Sequence, residues 1–138
     1  MAMRSYPVKI LLAWGEAISG NVEIRNWLMK NGFEELGVFC FALRNKDEAR
    51  KWLMDNKHPE LMALINGAEG NPSALLWLKN NNFILLHTMA LAVDNDDDAL
   101  RQLFNLKEKE WAGLALKMRA VKNSIEWDNN DVHKISRE

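Results

Sequence analysis

Three tryptophans stand 25 residues apart, at Trp27, Trp52 and Trp77, and each is followed by a leucine; Leu28, Leu53 and Leu78 form a column that Leu103 continues. Self-similarity at a fixed short period constrains a chain more than any local motif, because it demands stacked copies of one supersecondary unit. Three residues before the tryptophans the same shift gives Ile24, Ala49, Ala74 and Ala99. Offsets of i, i+3 and i+4 form one face of a helix.

A second set of columns marks a partner helix. Leu11, Leu36, Leu61, Leu86 and Trp111 share one position, and Trp14, Phe39, Leu64, Met89 and Leu114 share the position three residues on. Ala17, Ala42, Gly67 and Ala92 follow, small residues where two backbones approach closely, and then Ile18, Leu43, Ala68, Val93 and Met118. Gly20, Asn45, Gly70 and Asn95 punctuate the columns where the longer helix should stop, since glycine and asparagine tolerate a left-handed cap. Asn21, Asn71 and Asp96 come next as N-cap candidates, with Pro72 at a first helical position, and Asn31, Asn56 and Asn81 close the shorter helix.

This pattern predicts an all-α chain, an α-α superhelix of about four 25-residue helix pairs preceded by an N-terminal half-repeat cap. The first helix spans Pro7 to Ser19, pairs start near Val22, Asp47, Pro72 and Asp97, and the last long helix runs from about Glu108 to Val121. Lys117, standing where the other long helices carry alanine or glycine, suits an exposed C-terminal cap. The repeat domain is expected to occupy residues 1–123, and the segment 124–138 loses the pattern and is expected to be a tail or a degenerate extra helix, with Trp127 still in the tryptophan column. Short helices are marginal alone and gain stability by stacking. The tryptophan column is therefore read as core, and Trp77→Ala is expected to cost about 3 to 5 kcal/mol.

The run Ala17, Gly20, Ile24, Trp27, Leu28, Gly32 recurs as Gly67, Gly70, Ala74, Trp77, Leu78, Asn82. In these offsets the chain resembles the helical half of an ankyrin repeat; other HEAT-type α-solenoids share the general plan. Ankyrin repeats are about 33 residues long and carry a β-hairpin. Here the joint is too short for one and their Thr-Pro-Leu-His opening is absent. The resemblance implies long helices on a concave side and tryptophan-bearing helices on a convex side, and it implies no hairpin tips for recognition.

Composition narrows the function. Hydrophobic residues make up 48% and charged residues 27% of the chain, the balance of a globular domain. With 18 Lys and Arg against 19 Asp and Glu the net charge is −1, so no basic excess points to nucleic acid. No apolar run approaches the roughly 18 residues of a membrane span, and Lys9 and Glu16 break the apolar stretch that a signal peptide would need. The single cysteine, Cys40, lies among Val38, Phe39 and Phe41 and reads as a buried thiol in a reducing, cytoplasmic setting.

No residue constellation specifies a reaction. His58 shares a column with Val8, Phe33 and Phe83 and is read as a packing histidine; His87 and His133 lie in other repeats, with no cysteine or second histidine spaced for zinc. The acidic run Asp94, Asp96, Asp97 and Asp98 lacks the glycine and the distal glutamate of a calcium loop and is read as helix capping. Ser19, Ser73 and Ser124 sit at helix ends without a nucleophile elbow. Glu34, Glu35, Glu108 and Glu110 open helices as dipole partners, and Lys107, Lys109, Lys117, Arg119 and Lys122 read as a solvated face. No catalytic residue, cofactor or metal is expected, and the chain is not read as an enzyme. The expected interaction surface is a mixed apolar groove formed by Ile10, Leu12, Met62, Leu85 and His87. The leading reading is a protein-protein interaction module or scaffold binding a polypeptide or a second copy of itself. A small-ligand protein or enzyme with a pocket in the superhelix, and a structural subunit acting by self-association, are the alternatives.

Overall fold

The structure, a computed structural model, describes residues 6–130, with side chains through Trp127. The described residues form helices only: α1 (Val8–Ile18), α2 (Val22–Lys30), α3 (Glu34–Leu43), α4 (Asp47–Asp55), α5 (Pro59–Ala68), α6 (Pro72–Asn80), α7 (Ile84–Val93), α8 (Asp97–Phe104) and α9 (Glu110–Asn130). Each of the four pairs starts where the punctuation places it. Asn21, Asn71 and Asp96 accept backbone N–H bonds from Ile24, Ser73 with Ala74, and Ala99 respectively, which satisfies amides that a helix start leaves orphaned. Gly20, Asn45, Gly70 and Asn95 all have positive φ, as the left-handed stop requires.

The second junction repeats its own chemistry. The Nδ2 groups of Asn31, Asn56 and Asn81 donate to the carbonyls of Trp27, Trp52 and Trp77 at 2.7, 2.9 and 2.8 Å. The residue after each asparagine, Gly32, Lys57 or Asn82, turns left-handed.

Long helices α1, α3, α5, α7 and α9 make the inner layer, and short helices α2, α4, α6 and α8 cover it from outside. The central inner helices α3 and α5 are buried on nearly every face: in α3, residues Glu35 through Cys40 are all buried, together with Ala42 and Leu43. Such a helix must be apolar all round rather than striped. Trp14 and Phe39, from one column, meet edge to face at 5.1 Å in the middle of this layer.

The tryptophan column is not core, in contrast to the sequence reading. Leu28, Leu53, Leu78 and Leu103 are the fully buried residues of the outer helices, whereas Trp27 is 49% and Trp77 36% exposed. One residue is a rotation of about 100° on a helix, and that rotation puts leucine inward and tryptophan at the rim. Trp52 and Trp77 instead stack on His58 and Phe83, at 5.8 and 5.7 Å and nearly parallel.

Two expectations about the C-terminal region change. The boundary at 123/124 falls inside α9, which runs on to Asn130; Lys122 and Glu126 pair across one turn at 2.8 Å and support the continuation. Nor is α9 an exposed end. It packs along α7 and equally along α1, and it touches α3, so the inner layer closes on itself. Lys117, the supposed cap residue, reaches Glu16 of α1 at 3.1 Å.

Candidate functional site

Closure of the inner layer decides what is available for contact. Of the five residues expected to form a groove, Ile10 and Met62 are buried, at 8% and 7% exposure, while Leu12 is 56% exposed on α1. Leu85 and His87 are half-buried on α7. Leu85 alone lines a cavity, two adjoining grooves of about 620 and 300 Å³ that share Leu85 with Leu106. Thr88 and Gln102 line the smaller and Trp111 the larger. His87 lines neither groove. Met62 is buried while Leu85 faces these grooves, and α9 packs back on α1.

A groove of similar size lies elsewhere on the surface. Between α3 and the start of α4 a groove of about 670 Å³ has Val38, Phe41, Ala49 and Trp52 as its apolar lining and Lys46, Asp47 and Glu48 at its edge. Phe41 carries the Arg25 guanidinium over its ring at 4.3 Å. Trp52 is held by its stack on His58, so the wall is a fixed aromatic surface. The packing role expected for His58 is the one it fills. Further along the outer layer, Leu76 is 58% exposed beside Trp77, and Met54 and Phe104 are exposed on α4 and α8.

Charged groups are spent on holding helices together. Arg44 donates to the Ile18 carbonyl and Arg119 to that of Ala92, satisfying the C-terminal ends of α1 and α7. Arg119 also pairs with Asp97 at 3.1 Å, Lys122 with Asp94 at 3.0 Å, and Arg101 with Asp98. Asp96 caps α8, so all four aspartates of the acidic run have protein partners. Lys109 donates to the Phe104 carbonyl at 2.8 Å. The basic residues of α9 thus tie it to its neighbours rather than form a single patch. Burial would depress the Lys122 ammonium, but its bonds to Glu126 and Asp94 outweigh that and hold it above the ordinary lysine range.

Glu35 lies in the first turn of α3, as expected of a dipole partner, and has a further role. It is buried and accepts the Tyr6 hydroxyl at 2.7 Å, linking the segment before α1 to α3. No sequence signal distinguishes it from exposed Glu34, since both sit in one first turn. Burial pushes the Cys40 thiol up to about 12, against the weaker pull of Arg25 and Arg44. At neutral pH it is a protonated, small hydrophobe rather than a nucleophile. Among the described residues no three His, Cys, Asp or Glu side chains converge to hold a metal, and no helix is long and apolar enough to cross a membrane. His133 lies outside the described residues.

Comparison of the chain with protein-family models, with curated proteins and with solved structures gave no match in any of the three.

Proposed function

We propose that this chain is a non-catalytic interaction module that binds a polypeptide through its outer helical layer. The observation that carries the reading is the exposure of large apolar side chains at matching places of alternate outer helices, Trp27 and Trp77 on α2 and α6, and Met54 and Phe104 on α4 and α8. Trp27 and Trp77 share one column of the repeat two units apart, Leu76 is exposed next to Trp77, Met54 is exposed on the intervening α4, and Phe41 and Trp52 line a groove between α3 and α4. Large apolar side chains exposed at repeated places of one layer are candidates for a partner surface. Tryptophan is also a preferred anchor of interfaces. In this reading recognition falls on the outer layer, and the module is read as kin to the helical halves of ankyrin repeats with recognition moved onto helix faces. A reducing, cytoplasmic setting fits a lone buried cysteine.

The test uses two folded variants. Trp27→Ser combined with Leu76→Ser and Trp77→Ser strips the outer layer, while Leu12→Ser alters an exposed leucine on α1. Affinity capture from the native cell with mass spectrometry should retain a polypeptide with wild type and with Leu12→Ser and lose it with the triple variant. Circular dichroism checks that all three fold. Retention unchanged in the triple variant overturns the outer-layer reading. If the retained polypeptide is this chain itself, with light scattering showing a dimer, the function is self-association.

A further inference from the structure

Two Asn-Gly pairs occur in the chain, Asn31-Gly32 and Asn66-Gly67, and the fold treats them oppositely. Asn66 and Gly67 lie within α5, and Gly67 is buried: a Cβ there would stand 3.0 Å from the Leu75 side chain and 3.2 Å from that of Ala90. The carbonyl of the Asn66-Gly67 peptide is pinned by the amides of Glu69 and Asn71, at 3.2 and 3.0 Å. Asn31 and Gly32 are both exposed between α2 and α3, with nothing within 4 Å of the place a Gly32 Cβ would take. At the matching junctions the residue after the asparagine is tied down, Lys57 N–H to Met54 at 3.2 Å and Asn82 N–H to Lys79 at 3.2 Å. The Gly32 N–H donates to no backbone carbonyl among the described residues, and the Asn31 carbonyl accepts from none.

We infer that Asn31-Gly32 is a modification site of the folded protein, where Asn31 undergoes intramolecular deamidation. The Gly32 backbone nitrogen forms a bond to Cγ of Asn31, the Cγ–Nδ2 bond breaks, and Nδ2 leaves as ammonia carrying the proton lost by the Gly32 nitrogen. Water then opens the five-membered imide at either carbonyl, giving an aspartyl or an isoaspartyl linkage at position 31. No oxidant or reductant enters. Reaction needs an unhindered peptide nitrogen and a backbone free to turn, and glycine supplies both. The Asn31 side chain is restrained by one exposed bond, Nδ2 to the Trp27 carbonyl at 2.7 Å, and the flanking backbone by the Asn31 and Phe33 N–H groups, which donate to the Leu28 carbonyl at 3.3 and 3.0 Å. The product loses that donor for good and puts a negative charge at the C-terminal, negative end of α2, beside exposed Trp27. The modification thus acts as a one-way change on the outer layer.

Peptide mapping after incubation of the whole folded protein in mildly alkaline buffer tests it. A mass gain of one dalton should accumulate at position 31 and not at position 66, with labelling by an isoaspartyl methyltransferase confined to the same peptide. In urea both positions should convert. Gly32→Asn, which copies the residue found at Asn82, should slow conversion at position 31 without changing the circular dichroism. Equal conversion of both positions in the folded protein, or conversion of neither until urea is added, overturns the inference.

Discussion

Adjacent residues in the outer helices carry different loads, and the difference is measurable. Leu78 is fully buried and Trp77 is not, so Leu78→Ala should cost about 2 to 5 kcal/mol through lost transfer energy and the cavity left behind. Trp77→Ala loses the stack on Phe83, about 0.5 to 1.5 kcal/mol, together with the area of a side chain that is only partly covered, and leaves no internal cavity. Urea midpoints should fall in that order, and the reverse order would return the tryptophans to the core. The repeat shows both columns in the sequence with equal clarity. Which of two neighbouring apolar residues points inward is set by how the outer helix lies on the inner one, and an apolar stripe wider than about 100° leaves that open. Cys40 gives a second residue-scale expectation. Its folded-state value of about 12 lies above the ordinary 9.0, so the unfolded chain alone ionises between them. Stability should be flat in pH below about 9 and fall from there toward 12. The raised value of Lys122 acts in the same direction, because its ion pairs are present below its ordinary value of 10.5 and lost as pH rises through the folded one. Urea midpoints against pH should show the fall, and Cys40→Ala should lessen it; a thiol reagent should label Cys40 only once urea unfolds the chain.

At the scale of the element, helix starts were legible and one helix end was not. Asn21, Asn71 and Asp96 announce α2, α6 and α8 because capping is chemistry between residues two or three apart. The stop of α9 is absent from its sequence: where earlier long helices end on glycine or asparagine, it has Ala120 and passes Asn123 without turning. The Lys122–Glu126 pair and the docking of Ile125 carry it on. Close approach of α2 and α3 makes a second test. A Cβ at Gly37 would overlap the Met29 side chain and come within 3.3 Å of the Arg25 carbonyl, whereas one at Gly113 meets nothing within 4 Å. Gly37→Ala should therefore destabilise by about 1 to 3 kcal/mol. Gly113→Ala should stabilise by up to about 1 kcal/mol through helix propensity. Melting temperatures moving the same way in both variants would contradict this packing.

For the whole molecule, the decisive contact joins residues 101 positions apart, Glu16 and Lys117. No local pattern encodes it, since it arises from a small rotation accumulated over successive repeats. It also bears on Ile10 and Met62, which are buried: each column is apolar in sequence, but only closure shows that the inner faces cover one another. An open array that loses its last helix loses one interface. Here truncation before Glu110 uncovers both α1 and α7, so the shortened chain should lose its cooperative urea transition altogether, as followed by circular dichroism. A transition kept with a merely lower midpoint would mean that α9 is an ordinary end unit. Closure also means that this molecule counts its repeats. In an open solenoid, duplicating an internal unit lengthens the superhelix and leaves every neighbour content. Here an inserted copy of the α4–α5 pair would hold α1 and α9 apart by about one helix diameter, 8 to 10 Å, so the number of units is as much a part of the fold as their sequence.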